Sequence, residues 1–82
     1  MNDLSIPDRR VVGAKQVQRA LEGETAEKIF LGLDADDHIL RKFRALCADK
    51  QVPYEELETM KELGAACGIE IGAAVACLLK RP

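Results

Sequence analysis

The segment Lys28-Ile29-Phe30-Leu31-Gly32-Leu33 limits the fold more than any other part of the chain. It is an almost unbroken apolar run with β-branched and aromatic content, and it stops at the acidic turn Asp34-Ala35-Asp36-Asp37. Such a run predicts a central strand buried on both faces, because a half-exposed strand would alternate apolar with polar residues. A strand of that kind needs cover on both sides. Helical stripes flank it in the sequence. Ala14, Val17, Ala20 and Leu21 fall at i, i+3, i+6 and i+7. Gly23 is placed to serve as the C′ residue of that first helix. Ile39, Leu40, Phe43, Leu46 and Cys47 repeat the spacing through Asp49, with Asp36 or Asp37 as the cap. Val11-Val12 before Gly13 reads as a short buried strand, and Val52-Pro53-Tyr54 opens another. Met60 to Cys67 reads as a short helix, with Met60, Leu63, Ala66 and Cys67 inward and Gly68 as its stop. Ile69 to Leu79 is apolar, and periodicity alone leaves helix and strand both open there. This alternation implies an α/β domain, a sheet with helices on both faces. No internal repeat or low-complexity segment interrupts it.

A chain of 82 residues makes one domain, burying about 60–65% of the surface it exposes when unfolded. Residues 1–8 are polar turn formers and predict a flexible N-terminal tail, leaving 9–82 as the single folded domain. No apolar run is long enough to span a bilayer. Met1 is followed by Asn2 and Asp3 rather than a signal-peptide pattern, so a cytoplasmic protein is expected. No sustained heptads occur, and a monomer is the default. Cys47, Cys67, Cys77 and the lone His38 cannot supply four metal ligands at tight spacing, so no metal and no other cofactor is expected. Each cysteine lies in an apolar stretch and reads as a reduced core residue. Asp34, Asp36 and Asp37 could do acid–base or Mg²⁺ work, but a helix cap with first-turn acids explains all three. Glu55, Glu56 and Glu58 read as a solvated turn or strand edge. No GxxxxGK[ST] motif is present, and no catalytic residue is assigned.

The charge is unevenly spread. The formal net charge is −2, which excludes a polybasic mode of nucleic-acid binding but not a local basic patch. From Arg9 to Leu21 the basic residues Arg9, Arg10, Lys15 and Arg19 meet no acid, whereas Glu22 to Asp37 holds six acids against Lys28. The basic block coincides with a strand–Gly–helix junction at Gly13. Free amides and the positive dipole end make a helix N-terminus a ready anion site. Lys15 and Gln16 occupy its first turn, and Arg19 follows on the same face. Lys and Arg can reach phosphate or guanine O6/N7, and Gln offers both a donor and an acceptor to a base edge. On residues alone a solvated basic helix face is the simpler reading. Phe30, Phe43 and Tyr54 are the only aromatics, and the first two belong to the core pattern. An exposed stacking platform is therefore excluded.

In order and spacing, several blocks resemble the kink-turn-binding ribosomal protein family of the L7Ae type, especially its small bacterial members. They are Val11-Val12-Gly13-Ala14-Lys15-Gln16 with Arg19-Ala20 and Gly23, Ile29 to Asp36, Leu46 to Pro53, and Met60 to Ile69. The likeness extends from Arg9 to Leu79. It implies a three-layer α/β/α sandwich around a mixed four-stranded sheet, with Ile71 to Leu79 largely a final strand. It also implies binding to kink-turn RNA, in ribosomal or regulatory RNA, at tandem sheared G·A pairs. On that resemblance Gly13 permits close approach, Lys15 and Gln16 contact guanines, and Arg19 takes a phosphate or base edge. Asp36 buttresses the site, and Thr59, Met60 and Lys61 pack on the bulged nucleotides.

The chain also departs from the family pattern. Many relatives carry Thr where this chain has Val17 and Lys where it has Arg19. Archaeal and eukaryotic members favour Asn-Glu at Lys15-Gln16, and the Lys-Gln pair is the bacterial variant. Glu58 stands where those members tend to place a basic residue. With the net charge of −2, this predicts weaker binding. Fold does not fix function, so the alternative is a protein–protein interaction module that keeps the fold without tight RNA binding.

Overall fold

The computed structural model describes residues 9–80, and the expected tail at 1–8 lies outside them. The chain runs β1 (Arg10–Val12), α1 (Ala14–Glu22), β2 (Ala26–Gly32), α2 (Asp37–Lys50), β3 (Tyr54–Leu57), α3 (Met60–Ala66) and β4 (Val75–Leu79). The strands form one mixed sheet in the order β1-β4-β2-β3. β4 is antiparallel to both β1 and β2, and β3 is parallel to β2. The register shifts between Ala26 and Lys28, where β2 pairs with β4.

β2 is the inner strand that its composition required, and it feeds both faces of the sheet. Ile29 and Leu31 join Val17, Leu21, Leu40, Phe43, Cys47, Val75 and Cys77 under α1 and α2. Phe30 turns the other way and joins Leu63, Cys67, Ala73, Ala76 and Leu78 under α3. Alternate residues of β4 divide between the same two cores, as the pleat demands. The expected α/β/α sandwich is present, and all three cysteines are buried free thiols.

Two boundaries differ from the sequence expectation. The last strand begins at Val75 rather than Ile71. Residues 69–74 instead cross the start of α3, where the Ala73 N–H donates to the Met60 carbonyl at 3.0 Å rather than to a strand partner. Gly23 is not the left-handed C′ residue, since its φ is −85° and Glu24 takes φ 58°. Gly23 has a steric reason to be small: a Cβ there would lie 3.2 Å from the Arg19 carbonyl oxygen.

Candidate nucleic-acid interface

The starts of all three helices, together with the entry to β4, meet at one end of the sheet. A chain of hydrogen bonds ties them together. The Gly13 N–H donates to the Val75 carbonyl (3.0 Å) and the Gly32 N–H to the Ala74 carbonyl (2.9 Å). The Ala73 N–H reaches the Met60 carbonyl (3.0 Å). The Met60 N–H donates to a carboxylate oxygen of Asp34 (2.7 Å). Gly13–Gln16, Asp34–Asp36, Thr59–Lys61 and the 69–74 loop therefore share one rim.

α1 supplies the basic part. Gly13 holds φ 102° and ψ 149°, turning the chain from strand into helix, and no side chain among the described residues caps the first turn. That turn contains no acid and does contain Lys15. The other two helices are capped: Asp36 accepts from the His38 amide at 2.9 Å, and Thr59 accepts from the Glu62 amide at 3.0 Å. A lysine at an uncapped positive helix end is electrostatically uphill until an anion arrives. Lys15, Gln16 and Arg19 are exposed. Among the described residues neither Lys15 nor Arg19 forms an ion pair. Lys28, Arg41 and Arg44 are instead paired with Glu55, Asp37 and Glu56. A Cβ built on Gly13 meets nothing within 4 Å among the described residues, which leave its outer side open.

The other expected residues are present on the rim, where the side chains of Asp36 and Thr59 are already engaged. Asp36 is the cap of α2, and its carboxylate is committed to the His38 amide. The Thr59 hydroxyl is committed to capping α3. Met60 is half-buried, packing on the core under α1 and α2, while Lys61 is exposed. Asp34 is not a first-turn acid of α2, because it serves the first amide of α3 across the rim.

Sequence reasoning missed Ile71. Its side chain is 74% exposed on the 69–74 loop, and Leu33 on the same rim is 42% exposed. An apolar run predicts burial for both. Gly68 and Gly72, which bracket Ile69-Glu70-Ile71, were the available loop signal. No helix among the described residues is long and apolar enough to cross a membrane.

The chain is 40% identical over 70 residues to an RNA-binding protein of Caldanaerobacter subterraneus subsp. tengcongensis, covering 85% of each. It is 39% identical over 70 residues to the RNA-binding protein YbxF of Geobacillus stearothermophilus, again covering 85% of each. Among solved structures it superposes on a Giardia lamblia 15.5kD RNA binding protein with a TM-score of 0.87 and 26% identity, over 98% of this chain and 68% of that one. A Bacillus halodurans protein of unknown function shares the fold with a TM-score of 0.86 at 22% identity, over 96% of this chain and 79% of that one. The model of the ribosomal protein L7Ae/L30e/S12e/Gadd45 family matches residues 2–82. By fold and by that match, the chain belongs to the ribosomal protein L7Ae/L30e/S12e/Gadd45 family.

Proposed function

We propose that this chain is a non-catalytic, cytoplasmic RNA-binding protein that acts as a monomer and recognises kink-turn RNA at its tandem sheared G·A pairs. The observation that carries the proposal is the uncapped, acid-free first turn of α1, with Lys15, Gln16 and Arg19 exposed behind an open Gly13. The names of the relatives, RNA-binding proteins in three organisms, support the same reading. Gly13 lets the nucleic acid approach the backbone. Lys15 and Gln16 read guanine edges through the donors and acceptor their side chains offer, and Arg19 takes a phosphate or a further base edge. Asp36 buttresses this surface by fixing the start of α2. Thr59, Met60 and Lys61, with Ile71 beside them, form the half of the rim that faces the bulged nucleotides. An exposed isoleucine gives an unstacked base an apolar surface. Binding only the bent RNA shifts its population toward the kink, so deformability is read along with the bases. Ribosomal or regulatory RNA containing a kink-turn is the partner.

The double variant Lys15→Ala with Arg19→Ala tests this. It should weaken kink-turn binding at least about tenfold and lower the salt slope by about two. Unchanged affinity would rule the reading out. The net charge of −2 and the scarcity of aromatic residues favour a second reading, a protein–protein interaction module. It predicts no retention on total cellular RNA at low salt.

A further inference from the structure

Met60 is the junction of the rim. Its N–H is held by Asp34 (2.7 Å) and its carbonyl by the Ala73 N–H (3.0 Å). Glycines press on its backbone from two sides. A Cβ on Gly32 would lie 2.8 Å from the Met60 Cα, and a Cβ on Gly72 would lie 3.3 Å from its carbonyl carbon. Thr59 caps the Glu62 amide and leaves the Met60 amide, the first of α3, to be satisfied elsewhere. Asp34 does this from 26 residues away. It thereby joins the turn after β2 to the start of α3 and, through Met60 and Ala73, to the loop that displays Ile71.

We infer that Asp34 is a positioning residue for the RNA surface. Its carboxylate latches Met60 and the 69–74 loop into the binding conformation, without touching RNA. This inference rests on the RNA-binding reading above. A carboxylate on a face meant for phosphate is electrostatically unfavourable, so its value here is that of a hydrogen-bond acceptor. Loss of the latch populates rim conformations that cannot bind, and the fraction lost appears directly in the apparent affinity.

Two variants separate latch from charge. Asp34→Asn keeps a side-chain oxygen able to accept from the Met60 amide and removes the charge, whereas Asp34→Ala removes both. The probes are a kink-turn duplex and the same duplex lacking its G·A pairs, at a temperature where all three proteins are folded. Asp34→Ala should weaken kink-turn binding about 3- to 10-fold, as loss of one hydrogen bond implies. The loss should fall in the association rate, with the salt slope unchanged. Asp34→Asn should stay within about twofold of wild type on the same hydrogen-bond reasoning. Equal or tighter binding by Asp34→Ala overturns the inference, and so does Asn losing as much as Ala. Amide exchange is the second readout. The Met60 and Ala73 amides should exchange faster in Asp34→Ala while that of Gly13 does not, and unchanged exchange overturns the latch whatever the RNA result. If wild type fails to prefer the kink-turn, the RNA role of Asp34 falls with the parent reading, and exchange alone decides whether the latch exists.

Discussion

A backbone at φ 102° and ψ 149° is close to glycine-only territory, and Gly13 sits there with nothing among the described residues within 4 Å of its missing side chain. Gly13→Ala should therefore destabilise the fold by about 1–3 kcal/mol through backbone strain rather than clash, measurable as a lowered denaturation midpoint. On the proposed reading the neighbouring side chains carry discrimination rather than stability. Gln16→Ala should leave the midpoint unchanged within about 0.5 kcal/mol, as a surface change does. It should reduce the preference for G·A-containing RNA by about 1–3 kcal/mol, the value of one good base-edge contact. Competition between the two duplexes measures that preference. At this scale the basic residues of α1 were legible because their spacing is local. Asp34 was not, because its partner amide lies 26 residues away and appears only once α3 docks beside β2. Ile71 was missed because hydropathy assigns it to the core, whereas its loop turns Ile69 and Ala73 inward and leaves Ile71 exposed.

Helix ends shape the elements. Each helix stops with an amide pair folded back onto its last turn: Glu24 and Thr25 onto Leu21 and Ala20, Gln51 and Val52 onto Ala48 and Cys47, Gly68 and Ile69 onto Ala65 and Gly64. These are Schellman closures, and they need one left-handed residue each. Gly68 supplies it freely, whereas Glu24 and Gln51 hold φ 58° at a cost. Gln51→Gly should accordingly raise stability by about 0.5 kcal/mol, the relief of left-handed strain less the added freedom of the unfolded chain, read by chemical denaturation. Gly64 is the opposite case. A Cβ there would lie 2.0 Å from the Ile71 carbonyl oxygen. Gly64→Ala should cost at least about 1–3 kcal/mol by overpacking and displace the loop before β4, lowering RNA affinity as well. Helix interiors were readable from their period of 3.6. The start of β4 was not, since Ile71 is β-branched in a loop and Val75 is β-branched in a strand, and only the packing on α3 separates them.

The whole molecule is two small cores sharing one sheet, and its thiols register that burial. Desolvation pushes the Cys77 thiol from 9.0 up to about 12, with Cys47 adding to the rise. Burial raises Cys47 and Cys67 in the same direction. Between pH 9 and 12 the unfolded chain has released protons that the folded chain retains, so stability is full below about 9 and falls as pH rises toward 12. Thermal melts should show this decline, and Cys77→Ala, though less stable at neutral pH, should show a shallower one. The same fold brings the open start of α1, the capped starts of α2 and α3 and the Ile71 loop to one end of a molecule whose net charge is −2. The proposed binding is thus local and geometric rather than a product of overall charge. Titrating the wild-type protein against a kink-turn duplex and its counterpart lacking the G·A pairs, at two salt concentrations, tests that most directly. Tight binding to the kink-turn alone is the expected result, with the preference retained at the higher salt. Equal binding to both duplexes that fades together with salt, or binding to neither, would contradict it.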